Sequence, residues 1–441
     1  MANAAIETGM KEVQTNRKLG LWLGRRVNSL GAWLIALMII IFSTRGVIVL
    51  NSPLSANTVY ITTSIIALIL AAYGFIISKE YKNDGLILLR NLLIINGFLT
   101  VINVAIDFLL GVPFDPSTLY YSLGPYIVFL LLRVPTFYLK VVIGVIAIAI
   151  SYSSCNNFFD TLQGETGIQK VFEYNLKLRP EVFEGFSRTG EFIRVGGYTG
   201  NYHDSANILG MTGVFFFVRF LLKKKLFDLI LSGGVLFSLL LTQSATNIVV
   251  AILTIFLFGG YIFLRSQGLK IYLNLLLAFA SVIVLDELFP GIMTIFVSRV
   301  GPEGNWEGMA NKLDANSLLS SFPFVLVGHG AGFGNAGIKT EIGFLKGVLQ
   351  WGIVHAVVVY WILLYPVFRY VKIRSICFDA LPSVAAISFG FMSLLHYGSL
   401  FRVTNIFLFF SFYAISLNTI IYCRNSIRQS HSRREPEEKI V

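Results

Sequence analysis

Charge is what this chain has least of. Charged residues fill 13% of its 441 positions and hydrophobic residues 55%, with a mean hydropathy of +0.72. A soluble protein of that composition has too few polar side chains to cover its surface, so a soluble globular domain is excluded. Cysteine is scarce too, at three residues. Cys155 falls near the outer end of one apolar run, and Cys377 and Cys423 near the inner ends of others. No outward-facing pair is therefore expected to form a disulfide, and no Cys/His spacing resembles a zinc site. The cysteines read as small residues tolerated in lipid-embedded helices. No signal peptide is expected either, because Met1–Leu30 is polar and basic, with no short apolar core ahead of a small-residue cleavage site. The hydrophobic run from Gly31 is expected to stay as an anchor. No internal repeat and no low-complexity linker is evident.

Long apolar runs are what the chain has in plenty. Ile61–Ser78, Phe227–Leu241 and Asn247–Leu264 approach the roughly 20 apolar residues needed to cross a bilayer. The pattern predicts an all-α polytopic membrane protein of about twelve transmembrane helices, near 31–50, 58–78, 86–108, 119–133, 138–154, 205–221, 226–243, 246–264, 270–288, 342–368, 378–396 and 402–422. These form one membrane domain over 1–441, with cytoplasmic tails at 1–30 and 423–441. The net charge of +11 invites a nucleic-acid partner, but the cations are distributed by topology. With the N-terminus inside, Lys11, Arg17, Lys18, Arg25, Arg26, Lys79, Lys82, Arg133, Lys140, Lys223, Lys224, Lys225, Arg265, Lys270, Arg369, Lys372 and Arg374 all fall on the inner side. The C-terminal tail adds Arg424, Arg428, Arg433, Arg434 and Lys439. That is the positive-inside pattern, so both termini are expected in the cytoplasm and nucleic-acid binding is not.

Two outer loops break the economy of short turns, at about 154–204 and 290–340, and loops of that length are usually functional or disordered. In the first, Ile168, Val171, Phe172 and Leu176 recur at helical spacing and predict an amphipathic surface helix that Pro180 ends. The second carries Arg299, Trp306 and the glycine run Gly328-His329-Gly330-Ala331-Gly332-Phe333-Gly334. The inner turns are too short for a nucleotide-binding domain, so activity is expected to face outward.

The richest segment is Arg194-Val195-Gly196-Gly197-Tyr198-Thr199-Gly200-Asn201-Tyr202-His203-Asp204-Ser205-Ala206-Asn207, which crowds cation, imidazole, carboxylate and amide groups at the mouth of an apolar helix. Ionisable groups at membrane depth are costly and point to function. Outside the cytoplasm no nucleotide-sugar is at hand, so an enzyme there needs an already activated substrate, and a glycan carried on a polyprenyl pyrophosphate meets that need. Arginine grips phosphate oxygens bidentately and keeps its charge. Preorganised cations then favour the transition state as charge builds on the leaving pyrophosphate. A base must reach the acceptor hydroxyl, and Glu341, His203 and Asp204 are the candidates, with His329 behind them.

Arg194-x-x-Gly197 followed by His203-Asp204-x-Ala206-Asn207 resembles the R-x-x-G…(P/H)-N-x-x-A signature of the O-antigen polymerase (Wzy) and O-antigen ligase superfamily. Gly328-x-Gly330-x-Gly332, then Glu341 opening Ile342–Gly352, resembles the second signature of those proteins, and the order of spans and loops agrees with theirs. The resemblance covers most of 190–410, and the N-terminal spans only by topology. It implies a GT-C-like membrane glycosyltransferase with two large periplasmic loops, in the bacterial inner membrane. Such an enzyme works without metal or other cofactor on undecaprenyl-pyrophosphate-linked oligosaccharide, alongside a flippase and a chain-length regulator as partners. Arg194 and Arg299 would bind the pyrophosphate, and Gly197, Asn207, Gly330 and Gly332 would shape the turns. Two departures matter. Glu341 stands where the ligases place a catalytic histidine, which favours a polymerase. Ser244-Ala245-Thr246-Asn247 lacks the arginine that many relatives carry after the serine, a role Arg188 or Arg402 is placed to fill.

Blander readings stand beside these. Boundary arginines often snorkel to lipid phosphates, Glu341 suits a helix N-terminus, and His203 and Asp204 suit a cap on a span starting near Ser205. Gly332–Gly337 matches G-x-G-x-x-G but follows no strand of a βαβ unit, which excludes a dinucleotide fold. His355, His396, Arg90, Asn91, Asn96, Asn103 and Asp107 read as interhelical hydrogen-bonding groups or as the lining of an acceptor groove. A secondary transporter or polysaccharide flippase shares the topology, but transporters usually show related halves with a midplane site. Within the enzyme class the ligase, which delivers glycan to lipid A-core, is the alternative to the polymerase.

Overall fold

The computed structural model describes residues 27–81, 86–109, 111, 122–178, 196–266, 328, 343–374, 377–395, 400 and 402–432. Among them the fold is all-helical and contains no strand, as an apolar chain in lipid requires, because a helix satisfies its own backbone groups where water cannot. In chain order the helices are α1 (Ser29–Ser43), α2 (Gly46–Asn51), α3 (Ala56–Ser78), α4 (Ile87–Leu109), α5 (Ile127–Leu131), α6 (Thr136–Thr161), α7 (Glu165–Leu178), α8 (Tyr202–Lys223), α9 (Leu226–Leu241), α10 (Ala245–Ser266), α11 (Gly343–Trp351), α12 (Ile353–Val371), α13 (Leu381–Met392) and α14 (Val403–Ser432). Among the described residues seven of these, α3, α4, α6, α8, α10, α12 and α14, contain stretches long and apolar enough to cross a membrane. The chain is a helical membrane protein.

The structure redraws several of the expected spans. The run 31–50 is two helices broken at Thr44-Arg45, where the Thr44 hydroxyl bonds back to the Ile40 carbonyl at 2.7 Å and Arg45 is buried. The run 342–368 is likewise α11 and α12, separated by Gly352 at φ 79, a conformation that costs glycine little and other residues much. Of the run 119–133, the described part is a 3-10 turn, Gly124–Tyr126, leading into the fully buried α5. Near 378–396 the helix proper, α13, has only 12 residues, about 18 Å at 1.5 Å per residue. The span expected at 270–288 lies outside the described residues.

The loops change too. The first outer loop does not begin at 154, because α6 continues to Thr161. The amphipathic surface helix expected there is present as α7, and it buries Gly167, Val171, Asn175 and Leu178. Of the four residues that suggested it, Val171 is buried, and Ile168, Phe172 and Leu176 are half-buried flanks. Pro180 lies outside the described residues, as does the second loop apart from Gly328.

Two spans form the centre. α8 and the membrane-crossing part of α14 are each 83% buried, against 28–44% for the other five, so those five carry most of the lipid-facing surface. Close approach at the centre depends on small residues. A Cβ placed on Gly210 of α8 would stand 1.9 Å from the Phe389 ring of α13. Gly210→Val is therefore expected to cost about 3 kcal/mol or more, as overpacking in a closed core does. The check is the yield and melting temperature of detergent-solubilised protein, where a variant as stable as the parent would refute the tight contact.

Three ion pairs lie together at one end of the bundle. Arg133 meets Glu80 at 2.6 Å, Arg219 meets Asp228 at 3.2 Å and Lys223 meets Asp379 at 3.1 Å, joining the ends of α3 and α8 with the starts of α6, α9 and the α13 segment. We call this the basic end. Cys377 and Cys423 lie there too, and the expectation of isolated cysteines is corrected, because they are joined as a disulfide with Cα atoms 5.8 Å apart. Cys423, near the end of the apolar stretch of α14 (Val403–Ser426), is thereby tied to the segment before α13. Cys155, the free cysteine, lies 3.3 Å from the Ser238 hydroxyl.

Candidate functional site

The buried polar groups that the sequence singles out gather at the far end. There the chain turns through Gly196–Asn201 into α8. Gly197 takes φ +49 and Gly200 φ +66, and a Cβ at Gly197 would meet the Ser153 and Ser154 hydroxyls of α6 at 2.6 and 2.9 Å. This position demands glycine both for its backbone angle and for its close approach. The turn is pinned by hydroxyls. Ser205 donates to the Gly196 carbonyl at 2.5 Å, Thr199 and Ser205 hydroxyls lie 2.9 Å apart, and the Tyr198 amide donates to Ser153 Oγ at 3.0 Å.

The cap is not where the sequence suggested. Asn201, not His203 or Asp204, caps α8, its side chain accepting from the amides of His203 at 2.8 Å and Asp204 at 3.4 Å. That releases both side chains from capping. His203 is 8% exposed and its ring lies on that of Tyr202, centroids 3.9 Å apart. Asp204 is fully buried at the heart of the site. Its carboxylate accepts from Arg402 Nη1 at 3.1 and 3.3 Å and from Asn405 Nδ2 at 3.3 Å, tying α8 to α14. A buried carboxylate needs such partners. Arg402 keeps 30% of its side chain accessible, so a cation held by a buried acid faces outward. Asn207 is buried one turn further along α8. The structure thus brings together Gly197, His203, Asp204, Asn207 and Arg402. Arg188, Arg194, Arg299, His329, Gly330, Gly332 and Glu341 lie outside the described residues. Gly328 packs against the backbone of Gln350–Gly352, so the glycine run starts at the break between α11 and α12.

Two residues here escaped sequence reasoning. Arg45 was absorbed into an apolar run, although a lone arginine inside such a run is itself a signal. It is 6% exposed, and its guanidinium stacks 4.0 Å over the Tyr60 ring. Gln243 ends α9 at φ 55 and is 7% exposed, with no hydrogen-bond partner for its amide. The left-handed backbone of a non-glycine residue costs about 1–2 kcal/mol. The antiparallel register of α8 and α9, with Gly213 against Leu236, puts Asn207 at the depth of Gln243. Ser244 and Asn247, in the stretch that departs from the arginine pattern, are buried and bonded to each other at 3.1 Å.

The polar residues of α4 divide. Asn96, Thr100, Asn103 and Asp107 form one buried stripe, whereas Arg90 is half-buried and Asn91 faces outward. His355 of α12 locks onto the stripe, Nε2 lying 2.8 Å from Asn96 Oδ1 and Nδ1 2.9 Å from Asn103 Nδ2. These partners suit an imidazole protonated at Nε2. Asn103 also donates to the Trp351 carbonyl at 3.1 Å, bracing the chain at the Gly352 break. This is the interhelical role expected of His355; His396 lies outside the described residues. His355→Leu removes both hydrogen bonds that tie α12 to Asn96 and Asn103 and is expected to cost roughly 2 kcal/mol, read as a lowered melting temperature in detergent. An unchanged melting temperature would mean that the cluster adds no stability.

No protein-family model matches the chain, and no curated protein sequence matches it. Fold and site together define a helical membrane protein with a buried polar, cation-bearing site at one end of its bundle, opposite a basic end rich in ion pairs.

Proposed function

We propose that this protein is a surface-polysaccharide polymerase of the O-antigen type, set in the bacterial inner membrane with both termini cytoplasmic and the far end facing the periplasm. It transfers a glycan from undecaprenyl pyrophosphate to the non-reducing end of an incoming lipid-linked repeat unit. The acceptor hydroxyl forms the new bond to the anomeric carbon, the bond to the pyrophosphate breaks, and the acceptor proton passes to a base. The observation that carries the reading is the Arg194–Asn207 segment, whose described part is a glycine turn and a buried acid holding Arg402 at the end of an apolar bundle. Arg194 and Arg299 take the leaving pyrophosphate, with Arg402 and Arg188 as further cations. Since the Asp204 carboxylate is engaged by Arg402 and Asn405, it suits a positioning role, and Glu341 or His203 suits the base.

The test is a surface-polysaccharide gel from a strain lacking the protein. Collapse of the ladder to a single repeat on its acceptor supports the polymerase. A bare core with polymer stranded on the lipid carrier supports transfer to lipid A-core instead, and an unchanged ladder refutes both.

A further inference from the structure

A second polar cluster lies at the far end, under the surface helix α7, and the catalytic reading leaves it unused. The α1–α2 break places Arg45 over the Tyr60 ring of α3. Next to Arg45, the Gly46 backbone lies against the Tyr198 carbonyl, which joins this corner to the glycine turn. Ser43, two residues before Arg45, donates to the Thr404 carbonyl at 3.2 Å, which joins it to the Arg402 segment. α7 closes over the corner. The Tyr60 hydroxyl donates to the Leu178 carbonyl, and Lys177 Nζ donates to the Leu50 carbonyl at 3.1 Å. On the covered side of α7, Asn175 is fully buried, yet neither atom of its amide has a partner, and the buried Tyr174 hydroxyl has none either. Burial pushes the Tyr174 phenol well above its ordinary pKa, with smaller contributions from Tyr198 and Tyr60 close by, so this hydroxyl stays a donor at every physiological pH.

Leaving such groups unpaired costs free energy, and a native site that does so is commonly completed by something it binds. The groups present are a guanidinium, a phenolic hydroxyl and a carboxamide, all able to donate and none of them acidic. That set is complementary to an oxyanion, and the arginine supplies the charge. We propose that Arg45, Tyr174 and Asn175 form a phosphate-binding site roofed by α7, which holds the phosphate of a lipid lying in the membrane. The site deepens the proposed function, since a polymerase holds two lipid-linked glycans at once and only the donor loses its pyrophosphate. The phosphate chemistry itself depends only on these residues.

The test uses the full-length protein in phosphatidylcholine nanodiscs. Binding of undecaprenyl pyrophosphate, of inorganic pyrophosphate and of added phosphatidylglycerol is measured for the parent, Arg45→Gln, Arg45→Lys, Tyr174→Phe and Asn175→Leu. At least one phosphate probe is expected to bind, about tenfold more weakly to Arg45→Gln and three- to tenfold more weakly to Tyr174→Phe, with Arg45→Lys retaining most of the affinity. Should Arg45→Gln fail to fold, Tyr174→Phe and Asn175→Leu, which keep the charge and the shape, carry the comparison. Probe affinity unchanged in the folded variants, or binding of none of the three probes, overturns the site. Arg45-dependent binding of phosphatidylglycerol or inorganic pyrophosphate without undecaprenyl pyrophosphate keeps the site and discards its place in the polymerase reading.

Discussion

Arg402→Ala is expected to destabilise the protein by about 3–5 kcal/mol, because it strands the fully buried Asp204 carboxylate without its counter-ion. The reverse change should be milder, since Arg402 is 30% accessible and water can solvate it once Asp204 is gone. Asp204→Ala is therefore expected to cost at most half as much. The double variant should recover most of the stability lost in Arg402→Ala, a coupling that only residues in contact display. Melting temperatures of the four proteins in one detergent decide it. Equal losses from both single variants, with no recovery in the double, would mean that the pair is not coupled.

The largest expected effect on activity belongs to Arg194 and Arg299. On the proposed function, Arg194→Ala and Arg299→Ala each lose the surface polymer, a fall of about a hundredfold or more in transfer, because charge on the leaving group goes uncompensated. Both proteins should remain in the membrane at parental level. Immunoblotting of membranes beside a polysaccharide gel separates loss of activity from loss of protein. Parental chain lengths in both variants would sink the pyrophosphate assignment. If Arg194→Ala alone loses polymer, the donor site rests on the segment next to Gly197 and the second loop serves another purpose.

Much of this was legible in the sequence. The runs near 58–78 and 86–108 announced themselves and are present as α3 and α4, because a lipid-crossing helix must be apolar along its length. Of the cations expected on one side, Lys140 and Lys223 do lie together at the basic end, with Arg219 beside them. The surface helix α7 was legible from the period of its apolar residues, but with its buried face turned towards Asn175. The breaks at Thr44-Arg45 and Gly352 were not. Hydropathy averages over a window, whereas a break depends on one hydroxyl bonding back or one glycine turning left-handed. Gln243 left no trace for a similar reason, since a polar residue at the end of a helix ordinarily means a solvated turn.

The sequence alone determined that this chain lives in a membrane as helices and that Gly197, His203, Asp204 and Asn207 share one polar segment. Those properties follow from composition, period and proximity along the chain. Tertiary structure alone decided that Asp204 meets Arg402, 198 positions away, that His355 clasps Asn96 and Asn103, and that Arg45 lies beneath α7 against Tyr60. Each is a contact between distant segments, set by which helix faces pack together, and local periodicity holds no record of that choice.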